Sequence, residues 1–77
     1  MEELLAAIAK GLVDNPDGVT VTADEPSADG GRVYHLHVAQ GDMGRVIGRQ
    51  GRIAKAIRTV MTSAASRRHE RVTVEID

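Results

Sequence analysis

Gly48-Arg49-Gln50-Gly51 is a G-x-x-G tetrapeptide, and its residue types suit one chemistry, the holding of an anion against the backbone. Glycine carries no Cβ, so the chain can lie close to a ligand at both ends of the motif. Arg49 can add a charge-assisted hydrogen bond and Gln50 a neutral one. Arg45 stands one helical turn before Arg49, and Arg52 and Lys55 follow the motif. The simplest anion for such a cluster is a phosphodiester backbone. As a bare pattern, G-x-x-G equally fits a tight helix–turn–helix whose glycines serve geometry alone. Gly41 is expected at a strand-to-helix turn, and Gly44 where a short helix packs closely.

The charge distribution points the same way. The net charge is -1, yet residues 1–31 hold seven acids and one base, whereas residues 32–71 hold nine bases and two acids. Between Met43 and His69 there are seven bases and no acid. Screening confines electrostatics to about 8–10 Å at physiological salt, so a local positive field survives a near-neutral total. Such asymmetry points to a polyanion, or simply to a solvated basic face.

The elements that must position the motif follow from periodicity. Leu4, Leu5, Ile8 and Leu12 recur at helical spacing and predict a helix over 2–13. Asn15-Pro16-Asp17-Gly18 stops it in a turn. Val19 to Thr22 alternates as a strand with its valines inward, and Val33 to Ala39 is a second strand, with a hairpin tip at Asp29-Gly30-Gly31. On that second strand Tyr34, Leu36 and Val38 share one face, and His35 and His37 the other. A short helix is expected from about Asp42 to Ile47, with Asp42 as N-cap accepting from the Arg45 N–H. Beyond the tetrapeptide, Ile53, Ala56, Ile57, Val60, Met61 and Ala64 predict the apolar stripe of a long helix that ends at Arg67-Arg68-His69. Arg58 is expected at the stripe's edge, stem packed and head in water. Val72 to Ile76 is the last strand. The order α-β-β-α-α-β gives a single α+β domain over 1–77, a three-stranded mixed sheet with helices on one face. Two helices separate its last two strands, which can therefore pair in parallel through a right-handed crossover.

Several function classes find little support. With 77 residues and no cysteine, the chain has no thiolate metal site, disulfide or cysteine nucleophile. There is no nucleophilic-serine elbow and no P-loop spacing, and the motif does not directly follow a strand as a dinucleotide fingerprint would. His35 and His37 could pair on a metal, but no third histidine or carboxylate stands at a fixed nearby spacing, and a polar outer sheet face is the simpler reading. No apolar run approaches membrane-spanning length and Met1-Glu2-Glu3 is acidic, so the expected address is cytoplasmic. Phe and Trp are absent and Tyr34 is the only aromatic, so bases cannot be stacked on exposed rings. Arg67 and Arg68 either complement the helix dipole or flank a binding groove.

The run Gly44-Arg45-Val46-Ile47-Gly48-Arg49-Gln50-Gly51-Arg52-Ile53, followed by Ala56-Ile57, closely resembles the core of the KH domain. The extra helix and strand before it resemble the type II arrangement. With the stretch Leu12 to Pro16, the whole chain resembles the small bacterial KH proteins of the KhpA (YlqC) family. That resemblance implies a non-catalytic, cofactor-free binder of single-stranded RNA whose loop clamps the backbone of about four nucleotides. It assigns RNA contact to Arg45, Ile47, Gly48, Arg49, Gln50, Gly51, Arg52 and Lys55. Val46, Ile47, Ile53 and Ile57 become candidates for the apolar side of a groove, with Val72 and Val74 opposite, although periodicity alone makes each a plain core residue. It further implies an RNA chaperone or post-transcriptional regulator linked to cell shape and wall synthesis. Such a protein forms a homodimer, or a heterodimer with a larger KH-domain protein of the KhpB (Jag) kind. The alternative from another class is a dimerisation domain whose RNA binding is weak or supplied by the partner. An enzyme is the most distant reading.

Overall fold

Leu5 and Ala9 lie one turn apart on helix α1 (Glu2–Leu12) and are fully buried, while Leu4, next to them in sequence, turns outward. Glu2 and Glu3 occupy the first turn of α1 and Lys10 the last, each complementing the helix dipole. A turn at Pro16–Gly18 leads into strand β1 (Thr20–Ala23), and a hairpin leads into β2 (Gly31–His37). A second turn, Gln40–Asp42, opens helix α2 (Met43–Ile47). The tetrapeptide forms its own turn at Arg49–Gly51 before helix α3 (Arg52–Arg67), and strand β3 (Arg71–Ile76) closes the chain. This computed structural model describes residues 1–76.

The sheet has the order β1-β2-β3. β1 pairs antiparallel with β2, with Val21 opposite Leu36. β2 pairs in parallel with β3, with Tyr34 opposite Val74. The inward residues Tyr34, Leu36 and Val74 meet Leu5, Val46, Ile57 and Met61 in one core between sheet and helices. The expected α+β architecture and the parallel crossover are therefore both present. The strand limits differ slightly: β1 starts at Thr20, and β2 starts at Gly31 and ends before the half-buried Val38.

Helix α3 is rotated from the expected stripe. Its buried residues are Ala54, Ile57, Met61 and Ala65, with Ile53 and Ala64 half-buried. Ala56 is exposed, and Val60 retains 47% of its surface. Alanines and β-branched residues on one helix define two overlapping faces, and packing against β3 selects the one through Ala54 and Ala65. Arg58 reaches over that side, where its Nε donates to the Val74 carbonyl at 3.2 Å. The helix ends in a Schellman motif. His69 takes φ 57°, its N–H donates to the Ser66 carbonyl, and the Glu70 N–H donates to Ala65 at 2.8 Å.

On the outer face of the sheet, His35 lies between two carboxylates. Its Nε2 is 3.1 Å from Asp24 Oδ2 and its Nδ1 is 3.7 Å from Glu75 Oε2. Both acids come from strand neighbours, which sequence spacing did not reveal. Among the described residues, no group of three or more His, Asp or Glu side chains converges closely enough to hold a metal ion. No helix among them is long and apolar enough to cross a membrane.

Candidate nucleic-acid interface

The tetrapeptide turns on positive φ angles. Gly48 has φ 75° and ψ 176°, Gln50 φ 57° and ψ 26°, and Gly51 φ 74° and ψ 14°. The Gly48 conformation is accessible almost only to glycine. A Cβ there would also lie 2.6 Å from Ile53 Cγ1, so Gly48 is required by the chain itself. At Gly51 a Cβ would meet nothing within 4 Å, and glycine serves only the left-handed backbone. Gln50 holds the same left-handed region without being glycine, at a cost of about 1 kcal/mol. The turn closes with the Gly51 N–H on the Gly48 carbonyl at 3.2 Å, and it carries Arg49 and Gln50 outward into solvent.

Electrostatics favour an anion at this point. Gly51 is the N-cap of α3 and no side chain caps that end; the Arg52 N–H turns back to the Arg49 carbonyl, and the end carries the positive pole of the helix dipole. Arg49, Arg52 and Lys55 are exposed, and among the described residues none of them pairs with a carboxylate. Ile47, 37% exposed, is the apolar neighbour of the loop, and half-buried Ile53 lies beneath Gly48.

Other expected residues are placed elsewhere. Val46, Ile57 and Val74 lie in the core and offer no groove surface, whereas Val72 is half-buried on β3. Gly44 does not serve close packing, since a Cβ there would meet nothing within 4 Å. Asp42 does not cap α2. Its carboxylate is buried and accepts the backbone N–H groups of Asp14 at 3.2 Å and Asn15 at 3.0 Å, where the chain leaves α1. Arg45 Nη2 lies 2.9 Å from Asp14 Oδ2, and its Nε is 3.8 Å from Asp42 Oδ1. The acid-free stretch around Arg45 concealed this, because Asp14 belongs to a different element.

The far end of α3 holds an open depression of about 760 Å³, lined by Thr62 and Ser66 of α3 and by Arg32, Arg71, Asp29 and Glu70. Two of its charges, Arg71 and Asp29, are paired within the protein. Arg71 Nη2 lies 2.8 Å from Asp29 Oδ2 and donates to the Asp29 carbonyl at 2.9 Å. The Ser27 hydroxyl, the Gly31 N–H and the Arg71 charge together hold the Asp29 carboxyl below the usual carboxylate range.

The chain matches the family described as KhpA/KhpB, KH domain, over residues 2–76. It is 54% identical to the RNA-binding protein KhpA of Clostridium acetobutylicum, covering 99% of both chains. It is 49% identical to that of Listeria monocytogenes, covering 99% of this chain and 97% of the relative. Among solved structures, Era in complex with MgGDPNP and nucleotides 1506–1542 of 16S ribosomal RNA superposes with a TM-score of 0.67 at 18% identity. Era of Aquifex aeolicus superposes with a TM-score of 0.65 at the same identity. Both matches cover 97% of this chain and 28% of the Era chain, and at that identity they show the fold alone. With a family match along almost its whole length and relatives near half identity, the chain belongs to the KhpA/KhpB family of KH-domain proteins.

Proposed function

We propose that this protein binds single-stranded RNA without catalysis, holding the phosphodiester backbone at Gly48, Arg49, Gln50 and Gly51. Arg52 and Lys55 extend the contact along α3, and Ile47 meets the first base or sugar. The observation that carries this reading is the pairing of a glycine-permitted turn with three cations that have no carboxylate partner among the described residues. Relatives named RNA-binding protein KhpA support it. Without exposed aromatics, recognition relies on phosphates, aliphatic contact and base edges, so affinity is modest and sequence preference loose. Binding should weaken with salt, with a log–log slope of about -0.7 per phosphate neutralised on a single strand. The double variant Arg49→Asp, Gln50→Asp, verified as folded by circular dichroism, should lose salt-dependent binding to a fluorescent RNA oligonucleotide. Equal binding by variant and wild type would remove the loop from the site.

A second reading is favoured by the outward Ala56 and Val60 on α3, which form an exposed apolar strip. In this reading the domain pairs with a second copy or with a larger KhpB-like protein, and dimerisation brings two weak RNA sites together through effective concentration. Sedimentation of the isolated chain, with and without Val60→Asp, tests it. A cytoplasmic RNA chaperone or post-transcriptional regulator acting on cell shape is the wider role that we propose.

A further inference from the structure

We propose that Arg45 serves the RNA loop as a positioning residue, clamped by Asp14 and Asp42, and makes no phosphate contact of its own. The inference rests on the RNA reading of the loop and concerns how that loop is held.

Helix α2 has five residues, Met43–Ile47, too few to fix its own direction. Its orientation must come from anchors. One is Val46, fully buried in the core. The other is polar and lies on the side facing the exit of α1. There the buried Asp42 carboxylate takes the Asp14 and Asn15 N–H groups, one on each oxygen. Arg45 completes the arrangement from within α2, reaching Asp14 Oδ2 at 2.9 Å and Asp42 Oδ1 at 3.8 Å. Two residues of α2 and its lead-in thus grip two consecutive residues of the α1 exit. The Gly48 N–H bonds the Gly44 carbonyl at 2.9 Å, so the direction of α2 passes straight into the first glycine of the motif. The Arg45 charge differs in kind from that of Arg49, Arg52 and Lys55, because it already faces two carboxylates.

The clamp and a direct phosphate contact predict opposite signs. If Arg45 reached for phosphate, Asp14 would compete with RNA, and Asp14→Asn would tighten binding. If Asp14 and Arg45 act together to hold α2, removing either one weakens binding. The test titrates a short fluorescent single-stranded RNA of mixed sequence against wild type, Arg45→Met, Asp14→Asn, their double variant and Arg49→Met over a series of salt concentrations. Asp14 is largely exposed, so its variant is the safer one to fold. Both single variants should weaken binding about three- to fivefold, and the double should be no weaker than Arg45→Met. Their salt slopes should match wild type, whereas Arg49→Met should flatten the slope by about 0.7. In the absence of RNA, the amide resonances of Gly48 and Gly51 should shift in both clamp variants. The proposal is overturned by a flattened slope in Arg45→Met, by tighter binding in Asp14→Asn, or by unmoved Gly48 and Gly51 resonances. An Arg49→Met that binds as wild type does, alongside shifted glycine resonances in Arg45→Met, would instead remove the RNA reading of the loop and leave the clamp standing.

Discussion

The two ends of α3 carry similar residues in different states. At its N-terminus, Arg49, Arg52 and Lys55 surround a turn of positive-φ residues and have no carboxylate among the described residues. At its C-terminus, Arg67 and Arg68 precede another positive-φ residue, His69, but Arg71 is clasped by Asp29, and Glu70 faces the same depression. Dipole sign separates them further. Cations at a helix C-terminus are already favoured by the helix itself, whereas cations at an N-terminus are disfavoured until an anion arrives. An equal number of cations is therefore favoured by the dipole at one end and opposed by it at the other.

The largest test of that contrast lies within the loop. Gly48→Ala must place a Cβ against Ile53 in a backbone region open to glycine alone, and should cost about 3 kcal/mol or more of stability in urea melts. Gly51→Ala meets no neighbour and should cost only about 1–2 kcal/mol, from its left-handed φ. Equal losses would mean that the two glycines share one role. Next in size is the effect on RNA. Arg49→Asp should lower affinity more than about tenfold, the loss of a charge-assisted phosphate bond, while Arg68→Asp should lower it less than about threefold. Similar losses at both ends would merge them into one long interface. At the far end, His69→Gly should raise stability by about 0.5–1 kcal/mol, because it relieves a left-handed residue in the Schellman motif. The smallest effect concerns Asp29. Its folded pKa is lowered, so its contribution is present above the unfolded value of about 3.9 and fades as pH falls through the folded one. The melting temperature of Asp29→Asn should therefore lie below wild type at neutral pH and converge with it in acid.

Patterns local in sequence were readable without a structure. Alternation placed Tyr34 and Leu36 inward, glycine spacing placed the motif between two helices, and two intervening helices allowed β3 to run parallel to β2, as it does. Readings failed where the partner was distant or the side chain too small to declare a face. Asp42 sits where an N-cap belongs, yet its donor Asp14 lies 28 residues earlier, on the exit of another helix. Ala54 and Ala65 are buried while Ala56 is exposed, a distinction that periodicity cannot make among alanines. The acid-free run that holds both Arg45 and Arg49 also gave no sign that Arg45 has carboxylate neighbours. The carboxylates beside Arg45 come from the α1 exit and from the turn just before α2.

The parallel pairing of β2 with β3 also bears on how the loop comes into being during folding. Gly31 faces Arg71 and Leu36 faces Ile76, so every rung of that ladder joins residues forty positions apart. The segment looped out includes α2, the tetrapeptide and α3. Closing such a loop costs entropy before any rung repays it, which makes this step slow relative to the β1–β2 hairpin. The loop proposed to hold an anion is thus assembled inside the last large closure of the chain. A nascent protein still lacking β3 would expose the glycines and arginines without the geometry that makes them a site.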